Sequence, residues 1–278
     1  MPPLTGKVAL VLGGCGEVGE GITRALLAAG AVVAVSSRDN NRLSELHDRL
    51  PVEWDGRYVP IHGDIGSPTG VLAVRDRVQF VCQNLDIVVA SLGGWWQKGP
   101  LIFSTIEDWN RVLSNNLTPH YLAATALVPA INKRPGSSYV FISGAAADVP
   151  VPNSGLMSVS AHAELMLMRV LASEHRHEPI RINALVLGTP IVSRSRPEGD
   201  AAVVSLAWIG DFEIRMHAAP PTSAVKQPLF IVDIFDHDAQ LFIDSRACYA
   251  VAEGAAAFDE FLGLAEPVKG GTHEKPPV

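Results

Sequence analysis

A short apolar run, Lys7-Val8-Ala9-Leu10-Val11-Leu12, ends in a cluster of glycines, and a helical pattern carrying Ile22, Leu26 and Leu27 on one side follows at once. No other stretch constrains the fold as tightly. Gly14, Gly16 and Gly19 fit G-x-G-x-x-G in the strand–turn–helix setting that gives this motif meaning. Glycines permit the tight turn and let backbone approach a diphosphate. The helix N-terminus adds unpaired N–H groups and the positive end of its dipole. The sequence therefore predicts a dinucleotide-binding turn made of Gly13, Gly14, Cys15, Gly16, Glu17, Val18 and Gly19. The plain alternative is a glycine-rich βα turn without a ligand. Cys15 reads as a small side chain that fits the turn, not as a redox group.

The alternation continues downstream. Buried strands are expected at about 7–12, 31–36, 57–61, 86–91, 138–143 and 180–186, separated by helices at about 40–50, 68–82, 105–132 and 154–176. Pro119 is expected to kink the longest of these. Strands alternating with helices over short connections require right-handed crossovers and a parallel sheet covered on both faces. The expected class is α/β, a doubly wound parallel sheet in three αβα layers. After Gly188 the regularity fades. Residues 189–227 are read as a lid over substrate, 228–235 and 240–244 as a hairpin, 247–264 as a helix and 268–278 as a flexible tail. No linker divides residues 1–267, which are expected to form one domain.

At 47% hydrophobic and 18% charged, the 278 residues can bury a substantial core. The net charge of -7, with Lys and Arg scattered, speaks against nucleic acid as a partner. No apolar run reaches membrane-spanning length without a charge, Gly or Pro. Met1-Pro2-Pro3 leads straight into a strand, so no signal peptide is expected. Cys15, Cys82 and Cys248 form no CxxC pair, which favours a reduced, cytoplasmic setting. His175 and His177 lie among Glu174, Arg176 and Glu178 at a helix end, where cations suit the dipole, and no metal is expected.

Four stretches in order resemble the short-chain dehydrogenase/reductase family over about residues 4–192. They are Leu4-Thr5-Gly6-Lys7-Val8-Ala9-Leu10-Val11, Asp86-Ile87-Val88-Val89, Trp109 with Asn115-Asn116-Leu117, and Ile180-Arg181-Ile182-Asn183. The resemblance implies a Rossmann-type fold, a nicotinamide cofactor and a homodimer or homotetramer built through the helices at 105–132 and 154–176. It also implies that Asn116 is the active-site asparagine and that Asp64 and Ile65 flank the adenine. Ala90, Ser91 and Leu92 would line the ribose side, and Gly188 would stand near the nicotinamide. A glycine is usual where Glu17 stands, and a threonine where Leu12 stands.

Cofactor choice turns on the end of the second strand. An NAD site usually offers an acid there to the ribose 2′-hydroxyl. Here the residue is Ser37, followed by Arg38. A serine does not repel a 2′-phosphate, and a guanidinium holds one in a forked geometry. NADP(H) is therefore favoured over NAD(H), with an Arg38–Asp39 surface pair as the alternative.

The family's proton donor is a tyrosine followed four residues later by a lysine, which places both on one helix face. The residues four after each tyrosine are His62 after Tyr58, Thr125 after Tyr121, Ser143 after Tyr139 and Glu253 after Tyr249. Aligned on the flanking strands, the tyrosine position carries Met157, the lysine position Ala161 and the family serine position Gly144. Asn116, Ser143 and Asp148 remain as candidate catalytic groups, although an unassisted serine is a poor acid. His120 shares a face with Asn116 but deeper, and His162 should point away from the Ala161 direction. Trp95, Trp96 and Met157 are candidate walls of a pocket for a bulky apolar or aromatic molecule, with core packing of one tryptophan as the alternative. Two functions stay open: a divergent NADP(H)-binding enzyme, and a non-catalytic dinucleotide sensor or partner subunit.

Overall fold

The computed structural model describes residues 4–134 and 136–187. The expected lid, hairpin, last helix and tail, together with Gly188 and Cys248, lie outside the described residues.

Six strands form one parallel sheet in the order β3-β2-β1-β4-β5-β6: β1 Val8–Leu12, β2 Val32–Ser37, β3 Tyr58–His62, β4 Ile87–Ala90, β5 Ser137–Gly144 and β6 Ile180–Leu187. The helices between them are α1 Glu17–Ala28, α2 Asn40–Arg49, α3 Pro68–Cys82, α4 Ile106–Val112, α5 Thr118–Leu127 and α6 Gly155–Glu174. Every residue of β1 is buried, as befits a strand covered on both faces. Its side chains alternate between two cores. Ala9 and Val11 pack with Leu26 of α1 and Leu46 of α2, while Leu10 and Leu12 pack with Val78 of α3, Leu127 of α5 and Leu165 of α6. The doubly wound, three-layer expectation holds.

Two features of this frame matter for the site. First, the register aligns Leu12 with Ser36 on one side and Ala90 on the other. The carboxyl ends of β1, β2 and β4 therefore form a common rim, with the strand order reversing between β1 and β4. Such switch points are where open α/β sheets bind ligands. Secondly, the long helix near 105–132 is not kinked at Pro119. A π-turn, Leu113–Leu117, joins α4 to α5, and Pro119 stands in the first turn of α5. A proline there forfeits no bond that the helix needs, so the irregularity falls before it.

At the opposite end of the sheet, the fully buried Asp86 accepts hydrogen bonds from Val8 N–H (2.9 Å) and Arg134 Nε (2.7 Å), tying the starts of β1 and β4 together. No helix among the described residues is long and apolar enough to cross a membrane.

Candidate functional site

The turn after β1 is tightly built. Gly13 has φ of 73°, and a Cβ there would stand 2.0 Å from the Ser91 carbonyl oxygen. A Cβ on Gly19 would stand 2.2 Å from the Gly13 carbonyl oxygen. Gly16 is less constrained, with its nearest neighbour 3.2 Å from such a Cβ. The strongest steric demand thus falls on Gly13 and Gly19, and Gly14 is closed as well, since a Cβ there would stand 2.6 Å from Val35 Cγ1. Gly16 caps α1 without any side-chain hydrogen bond. Cys15 is buried as a small turn residue, and burial raises its thiol pKa. Val18 packs partly against the core, and Glu17 is exposed in the first helical turn. A backbone cradle at a helix start, set against a crossover rim, fits the diphosphate of a dinucleotide.

Around the rim, Ser37 ends β2, and its Oγ accepts from Asp39 N–H at 3.1 Å. Asp39 turns out to be the cap of α2, its Oδ1 accepting from Asn41 N–H at 2.8 Å. Among the described residues Arg38, whose side chain is exposed, makes no salt bridge to Asp39 within 4 Å. Asp39→Ala should lower stability by about 1 kcal/mol, the usual value of a lost N-cap, as read in urea unfolding. Arg42, in the first turn of α2, donates from Nη2 to the Cys15 carbonyl at 2.8 Å. It places a second guanidinium between the turn and β2, which the sequence reading missed. Asp64, two residues beyond β3, is exposed and caps Gly66 N–H at 3.0 Å, while Ile65 packs against the core. Ala90 ends β4 fully buried, Ser91 N–H donates to Leu12 O at 3.0 Å, and Leu92 packs against the core. All of these residues lie on the same edge of the sheet.

Beyond β4, Asn116 lies in the π-turn, a backbone irregularity that recurs at functional sites. Its Oδ1 accepts from Gly94 N–H at 2.9 Å, and its Nδ2 donates to Val112 O at 3.1 Å and lies 3.9 Å from Met157 Sδ. Asn116 therefore clasps the loop after β4 against α6. Buried Val112, Leu156 and Met157 form a small cluster with Trp96, whereas Trp95 is 60% exposed. The two tryptophans divide the alternatives between them. Exposed Ile102, Phe103 and Ile106 add an apolar rim on the β4–α4 connection.

α6 carries neither tyrosine nor lysine. Met157, Ala161 and Glu164 stand at i, i+4 and i+7, on one face. His162 Nδ1 lies 2.8 Å from the Ala147 carbonyl, a packing contact away from that face. Asp148 is half-buried just past the turn Ala145–Ala147, with its N–H bonded to Ala145 O at 3.0 Å.

Ser143, on β5, faces inward, and its Oγ lies 3.4 Å from Glu164 Oε2. Glu164 is 6% exposed, and its Oε1 lies 3.5 Å from Nε2 of the fully buried His120. His120 stacks on Phe141, ring centroids 5.5 Å apart. Burial raises the Glu164 pKa to about 8, with the Ser143 hydrogen bond opposing. Burial lowers that of His120 to about 4, with the Leu92 backbone carbonyl opposing. Both groups are thus neutral at pH 7. Sequence reading missed Glu164, which sits beside the run Leu165-Met166-Leu167-Met168 and resembles a surface helix acid. Its i+7 spacing from Met157 was the clue. Among the described residues no group of His, Cys, Asp and Glu could hold a metal ion, and His175 pairs instead with Glu178 at 3.0 Å.

Comparison with known proteins points the same way. The family model for short chain dehydrogenases matches residues 7–196. Dehydrogenase/reductase SDR family member 4 of Rattus norvegicus is 34% identical over 196 residues, covering 67% of this chain and 66% of that protein. The chain thus spans about two thirds of the length of that curated relative. Dehydrogenase/reductase SDR family member 2, mitochondrial, of Homo sapiens is 32% identical over 195 residues, covering 66% of this chain and 65% of that protein. Among solved structures, a dehydrogenase/reductase from Sinorhizobium meliloti 1021 matches with a TM-score of 0.61 and 26% identity, covering 71% of this chain and 77% of that one. A rim at the sheet's crossover, a glycine cradle and a match over most of the described chain converge: this chain belongs to the short-chain dehydrogenase/reductase family, whose oxidoreductases use nicotinamide dinucleotides.

Proposed function

We propose that the chain binds NADP(H) and reduces a carbonyl on a bulky apolar or aromatic small molecule, without a tyrosine–lysine pair on α6. The observation that carries the cofactor reading is the pair of guanidiniums, Arg38 and Arg42, beside Ser37 at the end of β2. A 2′-phosphate meets two cations there and no acid on Ser37's position; Asp39 is engaged in capping. Ser37, Arg38 and Arg42 would hold the 2′-phosphate, the Gly13–Gly19 turn the diphosphate, and Asp64 and Ile65 the adenine side. Ala90, Ser91 and Leu92 would line the ribose. The bound nicotinamide supplies hydride. Asn116 keeps the loop after β4 in place, and exposed Trp95 and the apolar rim, backed by Trp96 and Met157, favour a hydrophobic substrate over a charged one.

Arg38→Ala should weaken NADPH binding at least tenfold, about 1.4 kcal/mol, and leave NADH within about twofold, whereas Arg42→Ala, which also frees the Cys15 carbonyl, should weaken NADPH more than NADH. Fluorescence titration of the full chain reads both. Equal weakening for the two cofactors would contradict the reading. Loss of reduced-nicotinamide absorbance with a panel of aromatic and alicyclic ketones and aldehydes tests the reaction. The absence of tyrosine and lysine from α6 favours a second reading, a dinucleotide sensor or partner subunit. Tight NADPH binding without turnover of any panel member would select it.

Exposed Tyr121 on α5 and Val159, Met166 and Val170 on α6 support a homodimer or homotetramer through these helices. Free Cys15 and Cys82 suit a reducing compartment such as the cytoplasm.

A further inference from the structure

A serine at the end of β5 is a poor acid unless something behind it supplies a proton. Glu164 stands in that place. Its carboxyl is enclosed by α5, α6 and β5, and the groups facing it are His120 from α5 and Ser143 and the buried Tyr139 from β5. From β6, the same core receives Ile182 and Ala184, which are apolar. Two rows run from the pocket into this core: Asn116 and His120 on one helix, and Met157, Ala161 and Glu164 on the other. Ala161 ends at its Cβ, so no lysine stem fills the space between the upper and lower members.

We propose that Glu164 holds the proton used in this site and delivers it through Ser143 Oγ, replacing a tyrosine on α6. The inference rests on the carbonyl-reduction reading above. In the relay the neutral carboxyl reverses the hydrogen bond that Ser143 Oγ donates to Glu164 Oε2 and donates its own O–H to Ser143 Oγ, which frees the serine proton for the substrate. As hydride from the reduced nicotinamide forms a C–H bond at the substrate's carbonyl carbon, the Ser143 O–H bond breaks and an O–H bond forms on the carbonyl oxygen. The Glu164 O–H bond breaks at the same time and restores the serine hydroxyl. The carboxylate so formed lies 3.5 Å from His120 Nε2 until a proton returns from solvent as product leaves. One proton and one hydride are consumed for each carbonyl reduced. Burial keeps the acid loaded at neutral pH.

The test uses the full chain, Glu164→Gln, Ser143→Ala and the double variant. Infrared spectroscopy of the wild type should show a buried protonated carboxyl at pH 7 that titrates with a midpoint near 8 and is missing in Glu164→Gln. Its absence from the wild type at pH 7 would overturn the inference without reference to turnover. NADPH affinity should stay within about twofold in every variant. Carbonyl reduction should fall roughly a hundredfold in each single variant, the scale of a lost general acid, and little further in the double. The wild-type rate should decline above pH 8. Glu164→Gln turning over at the wild-type rate with the same pH profile would overturn the inference and leave carbonyl reduction standing. A wild type that binds NADPH but reduces nothing would overturn the carbonyl-reduction reading, and the relay with it.

Discussion

Gly13→Ala should lower stability by roughly 3 kcal/mol and abolish dinucleotide binding. The new Cβ would enter the left-handed region at φ 73° and stand 2.0 Å from the Ser91 carbonyl. The backbone strain costs about 1–2 kcal/mol, and forced separation of packed groups costs about 1–3 kcal/mol more. The clash is with backbone, so no rotamer relieves it. What must move is the contact between the ends of β1 and β4, where the rim is assembled. Urea unfolding gives the first effect and fluorescence titration with NADPH the second. Gly16→Ala is the control, because its nearest neighbour is 3.2 Å away and its φ is −78°. A Gly13→Ala protein as stable as the Gly16→Ala protein would refute the steric account.

The second large effect is a loss of stability on the alkaline side. Glu164 titrates at about 8 when folded and near 4.5 when unfolded, so its contribution is complete below 4.5 and is lost as pH rises toward 8. His120 shifts oppositely, from 6.5 to about 4, so its contribution is present above 6.5 and lost as pH falls toward 4. Each slope is about 1.4 kcal/mol per pH unit. Between pH 4.5 and 6.5 the two oppose and stability is nearly flat. From pH 6.5 to about 8 only the Glu164 slope remains, so roughly 2 kcal/mol should be lost. Glu164→Gln should remove that decline and uncover a loss of stability as pH falls from 6.5 toward 4, whereas His120→Gln should turn the plateau between pH 4.5 and 6.5 into a decline that continues to about 8. Urea unfolding at half-unit pH steps distinguishes them.

The fold was legible because parallel strands buried on both faces are continuous apolar runs, and Val8–Leu12, Val32–Ser37 and Ile87–Ala90 read that way without ambiguity. The phosphate turn was legible because glycine has few other reasons to cluster between a strand and a helix. The break in the long helix was not, since Pro119 is the obvious disruptor and a π-turn has no side-chain signature. The local polar contacts were equally hidden. Asp39 beside Arg38 looks like a salt bridge until the start of α2 is known, and only then does its role as a cap emerge. Glu164 was the largest omission. A glutamate within a helix is ordinarily solvated, and only the joint placement of α5, α6 and β5 shows that this one is enclosed. Residues that act through tertiary proximity leave little trace in local spacing.

The π-turn at Leu113–Leu117 also makes the site sensitive to chain length. It accommodates one residue beyond what an uninterrupted α-helix would hold over the same span. Deleting a single residue there would let α4 and α5 merge into one regular rod, with Trp109 and Val112 kept in register with His120. What would be lost is the widened turn that holds Asn116, because in a regular helix each residue is fixed at about 100° from the next. The packing of Val112 on Met157 and the Asn116 clasp on Gly94 could not both survive. A one-residue deletion, harmless in most surface loops, would here unfasten the pocket from its buried acid while leaving helix content almost unchanged.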